Sequence, residues 1–286
     1  MSPTSARLRQ VRVHDGVVLG AGRDPVFIAG PCVIESADHC LSMARAVAEA
    51  GQKAGVGVIF KASFDKANRT ALSSFRGPGL DEGLAVLRRV REETRLPVLS
   101  DIHDASQAAP AAEVLDIIQI PALLCRQTDL LLAAGRTGRP VAIKKGQFLA
   151  PLDVRHAAEK VVSTGNESIL LTERGTMFGY HNLVVDMRSL ALLREIGWPV
   201  IFDATHAVQL PGGDGERSGG QPRFIELLAR AAAAAGIDGL FTETHDHPEA
   251  ALSDGANALP LARLAPLMSQ VRDLSRLVGN AGNRPA

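Results

Sequence analysis

Short runs rich in Val, Ile and Leu alternate with longer helical segments along almost the whole chain. Nearly all residues of these runs are apolar, as expected for strands buried on both faces. In the segments between them, apolar residues recur at spacings of three and four, and Gly often follows. Eight strand-then-helix units favour a closed parallel barrel over an open doubly wound sheet. We predict strands at 25–29, 56–62, 97–102, 116–120, 140–145, 168–173, 199–204 and 239–244.

The predicted fold is therefore α/β, a (β/α)8 TIM barrel with an N-terminal β-hairpin. A barrel of this kind occupies about 250 residues, and the chain has 286. We assign residues 1–24 to a tail and hairpin and residues 25–280 to a single barrel domain. The stretch RVHDGVVLGAG predicts the hairpin, which would close the bottom of the barrel. The helical segments include residues 183–197, and a last helix is expected near 257–278.

Composition excludes several classes of protein. Lys and Arg together equal Asp and Glu in number, and aromatic residues make up only 4% of the chain. Neither value favours nucleic-acid binding through a basic surface or through base stacking. No window resembles a signal peptide or a membrane span. Three cysteines, an odd number, predict reduced thiols in the cytoplasm, so a disulfide at Cys32 is not expected.

Ionisable residues follow most of the predicted strands. The carboxyl ends of barrel strands carry the chemistry in enzymes of this architecture, although loops in any barrel begin with some polar residues. The number of ionisable groups exceeds that expectation, so we predict a functional mouth. The strand ends carry Cys32, Lys61, Asp101, His103, Gln119, Lys144, Lys145, Glu173, Arg174, Asp203, His206, Glu243 and His245.

Cations are frequent at this predicted mouth. Arg binds phosphate or carboxylate through a bidentate fork, and Lys adds point charge. Each of these residues alone would be an ordinary surface cation, but their shared position predicts a substrate with several negative charges, such as two phosphorylated molecules. The residues are Lys61, Lys66, Arg69, Arg126, Lys144 and Arg174.

Three predicted strand ends that are neighbours in a closed barrel carry possible metal ligands. Cys32 follows the first strand, His206 the seventh and Glu243 ends the eighth, while Asp254 lies in the loop beyond. Thiolate, imidazole and carboxylates suit Zn²⁺, Fe²⁺, Mn²⁺ or Co²⁺. The residues leave other roles open: Cys32 as core filler, His206 as a general acid or base, and Glu243 paired with a lysine. A nucleophilic Cys32 is disfavoured, because neighbouring carboxylates oppose the thiolate.

Two predicted loops are unusually long. Residues 63–80 follow the second strand, and the Gly-rich residues 207–223 follow the seventh. Long loops in compact domains commonly act as lids or binding loops, although disorder is the alternative for the second. The segment GGDGERSGG lacks the terminal Gly-Lys-Ser/Thr and the strand-to-helix setting of a phosphate-binding P-loop. We therefore expect lids and no nucleotide site.

The chain contains several long motifs of unusual composition, which include GPCVIES, FKASFDKANRT, SDIHD, IQIPALLCRQTDLL, IKKGQFLAP, LTERGTMFGYHNLVVDMRSL, PVIFDATHAVQLPGG and GLFTETHDHPEAALSDGANALPL. These motifs resemble those of one family, the 3-deoxy-D-manno-octulosonate 8-phosphate synthases, from about residue 26 to 265 and in the family's order. The resemblance implies a barrel enzyme, usually a homotetramer, that condenses phosphoenolpyruvate with arabinose 5-phosphate and water for lipopolysaccharide synthesis.

The resemblance also implies roles for the phosphoenolpyruvate site. Lys144 and Arg174 match the clamp on its phosphate. Lys61, Lys66 and Gln119 are placed for its carboxylate and the reacting centre.

Further roles concern the aldose phosphate and the protons. The resemblance implies that Asn68, Arg69 and Thr70 belong to the loop that binds the aldose phosphate. It also implies that Arg126 reaches the sugar phosphate bound by a neighbouring subunit. Proton transfer would fall to Lys66, His206 or Asp254, with Lys61 also among the catalytic residues.

The family contains metal-dependent members with Cys and metal-independent members with Asn at the Cys32 position. Cys32, His206, Glu243 and Asp254 match the metal-dependent pattern, so the resemblance implies a divalent metal ion. Three departures stand out: Thr70 replaces a common Ser, His247 occupies an unexpected position, and the N-terminal extension is long. None of them removes a proposed ligand.

Three alternatives remain. The related 3-deoxy-D-arabino-heptulosonate 7-phosphate synthases use erythrose 4-phosphate and share similar metal ligands, but they usually carry Lys-Pro-Arg-Thr where this chain has KANRT. A Schiff-base aldolase would use Lys144 as its amine. A non-catalytic phosphosugar-binding protein would bind without turnover, which the full set of polar strand ends argues against.

Overall fold

In the computed structural model of the protein, residues 8–14, 16–20, 22–69, 71–214 and 217–280 are described. Within these ranges, eight parallel strands form a closed barrel. Each strand pairs with the next, and the eighth pairs with both the seventh and the first, which closes the ring. The barrel strands are β1 (Val26–Gly30), β2 (Val58–Lys61), β3 (Val98–Asp101), β4 (Ile117–Ile120), β5 (Val141–Lys144), β6 (Ile169–Glu173), β7 (Val200–Asp203) and β8 (Gly239–His245).

Helices follow the strands and cover the outside of the barrel. The prediction of a (β/α)8 barrel with a preceding β-hairpin is confirmed, and the strand positions differ from those predicted by only one or two residues. In the part of the chain that is described, no helix is long and apolar enough to cross a membrane. The main helices are α1 (Ala37–Ala54), α2 (Leu80–Thr94), α3 (Ala108–Val114), α4 (Thr128–Arg136), α5 (Val154–Val162), α6 (Arg188–Glu195), α7 (Ile225–Ala235) and α8 (Leu264–Asn280).

Two helix predictions were too long at their amino-terminal ends. The helix expected over 183–197 begins only at Arg188, because Leu183–Val184 pairs with Thr176–Met177 as a short antiparallel ladder. The last helix was expected near 257 but begins at Leu264. Leu259–Pro260 instead extends the sheet beside β8. In both cases tertiary strand pairing overrides an apolar spacing that also suits a helix.

The strands bury both faces. Alternate residues point into the barrel, where side chains such as Ile28, Ile59, Leu99 and Phe241 form a compact inner cluster. The other residues face the helices and belong to a larger outer core. This two-sided burial accounts for the nearly continuous apolar runs in the sequence.

The predicted hairpin pairs Gln10–His14 with Val17–Gly20. Its Val11 and Leu19 are buried and belong to the inner barrel cluster. Leu19 lies against Gly239, the first residue of β8. The hairpin therefore packs over the amino-terminal end of the barrel, as predicted, and leaves the other end for the site.

The loop expected after β7 has more structure than predicted. Gln209–Asp214 and Arg217–Gly220 form an antiparallel hairpin. A Cβ added to Gly220 would overlap the side chain of Asn257, so this hairpin packs closely against the loop that follows β8. The sequence favoured an irregular lid here because its glycines hide the strand pattern.

Candidate active site

A cavity of about 1360 Å³ opens at the carboxyl-terminal end of the barrel. Strand ends and the loops after β2 and β8 form its walls. The predicted site residues that line it are Lys61, Lys66, Asn68, Arg69, Gln119, Lys144, Arg174, His206, Glu243 and Asp254. Residues predicted from separate parts of the chain are thus brought to one cavity, whereas Cys32 and Arg126 lie outside this lining. Thr70 falls outside the described residues.

Cys32 lies just behind the wall of the cavity and is only 5% exposed. A Cβ on Gly30 would overlap the carbonyl oxygen of Lys61, so glycine is required where β1 and β2 approach each other. The Lys61 ammonium then donates to the carbonyl of Cys32 at 2.8 Å. This close backbone packing fixes where the Cys32 side chain begins.

The Cys32 thiol faces oxygen atoms of the loop after β8. Its Sγ lies 2.8 Å from Ser253 Oγ and 3.5 Å from Asp254 Oδ2. Burial, and next the charge of Glu243, raise the pKa of the thiol well above its usual value. A free thiolate nucleophile is therefore disfavoured in the protein alone, in line with the sequence argument.

The four predicted metal ligands converge. Ligand atoms of Cys32, Glu243 and Asp254 all lie within 4.8 Å of one another. His206 Nε2 is 3.7 Å from Glu243 Oε1 and 4.0 Å from Asp254 Oδ2. Asp254 reaches this position from a left-handed backbone conformation with φ of 49°, immediately before Gly255.

Glu243 also has lysine partners, which was one of the alternatives left open by the sequence. Its Oε1 lies 2.5 Å from Lys61 Nζ and 3.7 Å from Lys66 Nζ. Burial alone would raise the pKa of this carboxyl, but Lys61 first and His206 next outweigh it and lower the pKa below its usual value. Glu243 is thus held as a carboxylate and is available as an anionic ligand.

Asp203 orients His206, a role that sequence reasoning missed. Asp203 Oδ2 lies 2.8 Å from His206 Nδ1, and Oδ1 accepts the His206 backbone N–H at 2.9 Å. With Nδ1 held by a carboxylate, Nε2 faces Glu243 and Asp254, the arrangement typical of metal-binding histidines. Its position at the end of β7, three residues before His206, was the available signal.

Lys144 and Arg174 place buried positive charge in the cavity. Lys144 donates to Asp203 Oδ2 at 2.7 Å and lies over the Phe241 ring at 3.9 Å. Arg174 is only 4% exposed and donates to Gln209 Oε1 at 3.0 Å. Its Nη1 has no hydrogen-bond partner among the described residues. Burial lowers the pKa of both groups. A buried guanidinium with a free donor suits an anionic ligand.

A further buried carboxylate, Asp101, was named as a strand end but given no role. Its Oδ2 lies 3.0 Å from His103 Nε2, and its Oδ1 accepts from the Ser63 hydroxyl. Despite burial, the hydrogen bond with His103 and the charge of Lys66 hold the pKa of Asp101 well below its usual value. Asp101 and His103 both line the cavity, so they add polar groups beside Lys66.

The loop after β2 closes one side of the cavity. Arg69 donates to the carbonyl of Phe75 at 2.9 Å and to that of Leu252 at 3.4 Å. Its Nη1 also lies 4.0 Å from Asp254 Oδ1. Arg69 therefore connects the loop after β2 with the loop after β8, while Asn68 is exposed at the rim.

Arg126 is exposed, and its backbone carbonyl accepts from Lys160 at 3.0 Å. It lies in the turn after β4 and does not belong to the cavity lining of its own chain. The expectation that it serves a neighbouring subunit therefore stays a prediction.

The fold and the cavity define a barrel enzyme that acts on small anionic molecules at the carboxyl ends of its strands. The model of the DAHP synthetase I family matches residues 6–279. Because this match covers nearly the whole length, the chain belongs to that family.

Curated relatives share more than half of their residues with this chain. A protein of Syntrophotalea carbinolica is 61% identical over 92% of this chain and 95% of its own length. Proteins of Trichlorobacter lovleyi and Geobacter sulfurreducens are 57% and 55% identical, each over 92% of this chain and 96% of its own length. All three are named 2-dehydro-3-deoxyphosphooctonate aldolase.

Proposed function

We propose that the protein is a 2-dehydro-3-deoxyphosphooctonate aldolase, also called 3-deoxy-D-manno-octulosonate 8-phosphate synthase. It condenses phosphoenolpyruvate with D-arabinose 5-phosphate and water, and releases inorganic phosphate. The observation that carries the proposal is a cavity with several buried cations in a chain that matches a relative of this name over 92% of its length. Those relatives favour this reaction over the heptulosonate alternative.

The chemistry requires two additions and one cleavage. C3 of phosphoenolpyruvate attacks the aldehyde carbon, whose oxygen takes up a proton. Water adds at C2 and loses a proton. The C2–O bond to phosphate then breaks and the phosphate leaves with the bonding electrons, while the C2 hydroxyl gives up its proton and becomes the keto group of the product. Positioned cations serve each stage, because they align two anions and stabilise the charge that develops.

The residues divide this work by position. Arg174, with its free Nη1, and Lys144 bind the phosphate of phosphoenolpyruvate. Lys61, Lys66 and Gln119, which line the same cavity, hold its carboxylate and the reacting carbons. The arrangement brings the enol close to the cluster around Glu243, where protons must move.

The aldose phosphate occupies the outer part of the cavity. Asn68, Arg69 and Thr70 on the loop after β2 bind it, and Arg126 extends to the site of a neighbouring subunit in a homotetramer. His206, Asp254 and Lys66 exchange protons with the aldehyde oxygen and the incoming water. We place this reaction in the cytoplasm.

We further propose that Cys32, His206, Glu243 and Asp254 hold one divalent ion, Zn²⁺, Fe²⁺, Mn²⁺ or Co²⁺. The fit is supported by the convergence of the Cys32, Glu243 and Asp254 ligand atoms, by the approach of His206 Nε2 to both carboxylates, and by the carboxylate that orients His206. A bound cation favours the deprotonated form of a thiol ligand. It would therefore offset the effects that raise the pKa of Cys32 in the protein alone. Such an ion supplies Lewis acidity toward a bound oxygen.

The substrate is tested by phosphate release with arabinose 5-phosphate and with erythrose 4-phosphate. We expect a clear preference for arabinose 5-phosphate. A preference for erythrose 4-phosphate would support the heptulosonate alternative and overturn the assignment. Borohydride treatment during turnover should trap no substrate on the protein, whereas trapping on Lys144 would support a Schiff-base aldolase.

The metal is tested by chelation followed by readdition of single ions. We expect chelation to abolish activity and at least one of the four ions to restore it. The Cys32→Asn variant should retain some activity without metal, and Cys32→Ala should lose most of it. Full turnover by metal-free protein, or equal loss in both variants, would contradict this proposal while leaving the substrate assignment intact.

A further inference from the structure

A second group of imidazoles and carboxylates lies where α1 begins and β8 ends. Glu35 lies just before α1 and His39 lies in its first turn, whereas His245 ends β8 and Asp246 begins the loop after it. One ligand atom from each of Glu35, His39 and His245 lies within 4.8 Å of the other two. This group is separate from the four residues proposed above to hold a metal, and only Asp246 also lines the cavity.

One carboxylate lies against both imidazole rings of this group. Asp246 Oδ1 is hydrogen-bonded to His39 Nε2 at 3.0 Å and lies 3.0 Å from His245 Nδ1. The backbone N–H of His247 donates to the same oxygen at 3.1 Å and to His245 Nδ1 at 3.0 Å. An ion bound at His39 Nδ1 and His245 Nε2 would leave the ring protons on His39 Nε2 and His245 Nδ1, both beside Asp246, and the His247 N–H would keep its bond to the carboxylate.

Those two nitrogens are the ones left without a hydrogen bond. Among the described residues, neither His39 Nδ1 nor His245 Nε2 has a hydrogen-bond partner, although both atoms are buried. His245 is only 5% exposed, and its Nε2 lies 3.4 Å from Glu35 Oε1. Two buried ring nitrogens without a hydrogen bond, one of them beside a carboxylate oxygen, are costly without a ligand.

The spacing also suits a metal ion. Ligand atoms bound at about 2.1 Å in a tetrahedron are about 3.4 Å apart, which equals the separation of His245 Nε2 and Glu35 Oε1. The centroids of the two histidine rings are 4.7 Å apart, and the ring planes are tilted by 37°. A modest rotation of the rings would therefore bring one nitrogen of each within bonding distance of a single ion. Imidazole ligands select Zn²⁺, Co²⁺ or Ni²⁺ over Mg²⁺ and Ca²⁺.

We propose that Glu35, His39 and His245 bind a second transition-metal ion of the zinc class, with Asp246 orienting both imidazoles. The ion joins the start of α1 to the end of β8. Because Cys32 precedes Glu35 and Glu243 precedes His245, it would steady the two segments that supply ligands to the cavity. The inference rests on these side chains and not on the proposed reaction.

Cobalt distinguishes the two sites because only one contains sulfur. We would bind Co²⁺ to metal-free protein, measure the bound ion per chain, and record the thiolate-to-cobalt charge-transfer band. Wild type should bind two ions and show the band. Cys32→Ser should bind one ion without the band. His39→Ala and Glu35→Gln should each bind one ion and keep the band, and the exposed His156→Ala control should match wild type.

Each alternative result has one meaning. Loss of all cobalt in Cys32→Ser, or two ions in His39→Ala, would overturn the second site. Loss of the thiolate band in His39→Ala would also overturn it, since His39 would then serve the Cys32 site. If wild type binds one ion without the band and His39→Ala binds none, the second site stands and the proposed metal at Cys32 fails. Circular dichroism of each variant confirms folding, and the conservative Glu35→Gln change tests the site if His39→Ala unfolds.

Discussion

The two ends of the barrel are formed by the same eight strands but bury different kinds of side chain. At the amino-terminal end, Val11 and Leu19 of the hairpin continue the apolar interior. At the carboxyl-terminal end, Lys61, Asp203 and Glu243 are almost fully buried as charged groups. Apolar burial stabilises the fold directly, whereas buried ion pairs roughly offset their own desolvation. One end therefore supports stability, and the other places reactive charge where water is scarce.

The largest expected effect concerns Arg174 at the charged end. Arg174→Met removes a buried donor that has no hydrogen-bond partner at Nη1, so kcat/KM should fall about 1000-fold, or about 4 kcal/mol of transition-state stabilisation. Stability should stay the same or increase, because an apolar side chain replaces a buried charge. Steady-state kinetics and thermal unfolding measure both. Arg155→Met, at an exposed position on α5, is the control. A variant that is less stable than wild type but keeps its kcat/KM would contradict this assignment of roles to the two ends.

The apolar end should give the opposite result. Leu19 is fully buried, so Leu19→Ala should destabilise the protein by about 2–5 kcal/mol through lost burial and a cavity. The kcat/KM of the protein that remains folded should be unchanged, since the hairpin is at the far end of the barrel. Thermal unfolding and kinetics below the transition check this, with the half-buried Val17→Ala as a smaller matched change. A large loss of kcat/KM at full folding would show that the ends are coupled.

The Asp203→Asn variant tests whether activity and metal binding at the charged end depend on the orientation of His206. Asn keeps an oxygen near His206 Nδ1 but loses the charge that holds His206 and Lys144. Changes in carboxylates that orient a metal-binding histidine typically cost about 10- to 100-fold in activity or metal affinity. We expect a loss of this size in both kcat and Co²⁺ affinity. The exposed Asp186→Asn serves as control, and loss of activity with unchanged metal affinity would restrict Asp203 to its contact with Lys144.

The two ends of the barrel also differ in how much of their structure the sequence predicts. Repeating apolar runs predict the barrel and its order of strands, and the order alone brings Cys32, His206 and Glu243 to neighbouring positions. The order of the strands does not predict which oxygen atom faces which nitrogen atom, so the contact by which Asp203 orients His206 was missed. The hairpin formed by Gln209–Asp214 and Arg217–Gly220 was also missed, because pairing between glycine-rich strands leaves little trace in hydrophobic periodicity.

The smallest expected effect is a pH dependence of stability that belongs to the charged end. The ordinary pKa of an aspartate is 3.8, and in the folded protein burial is outweighed by His103 and Lys66, so the pKa of Asp101 lies well below it. Above that ordinary value both states are ionised and the stabilisation is fully present. As the pH falls through about 4 toward the folded pKa, the unfolded chain takes up the proton first and stability is lost.

Asp101→Asn should therefore lower stability at neutral pH but flatten its decline below about pH 4. Urea unfolding midpoints over a pH series measure this, with the exposed Asp129→Asn as a control that should keep the slope of wild type. Because Asp101 contacts Ser63 and His103 inside the mouth, a flatter curve assigns acid sensitivity to the charged end of the barrel. An unchanged slope in Asp101→Asn would instead place that sensitivity in other carboxylates, and Asp101 would not be held ionised by its neighbours.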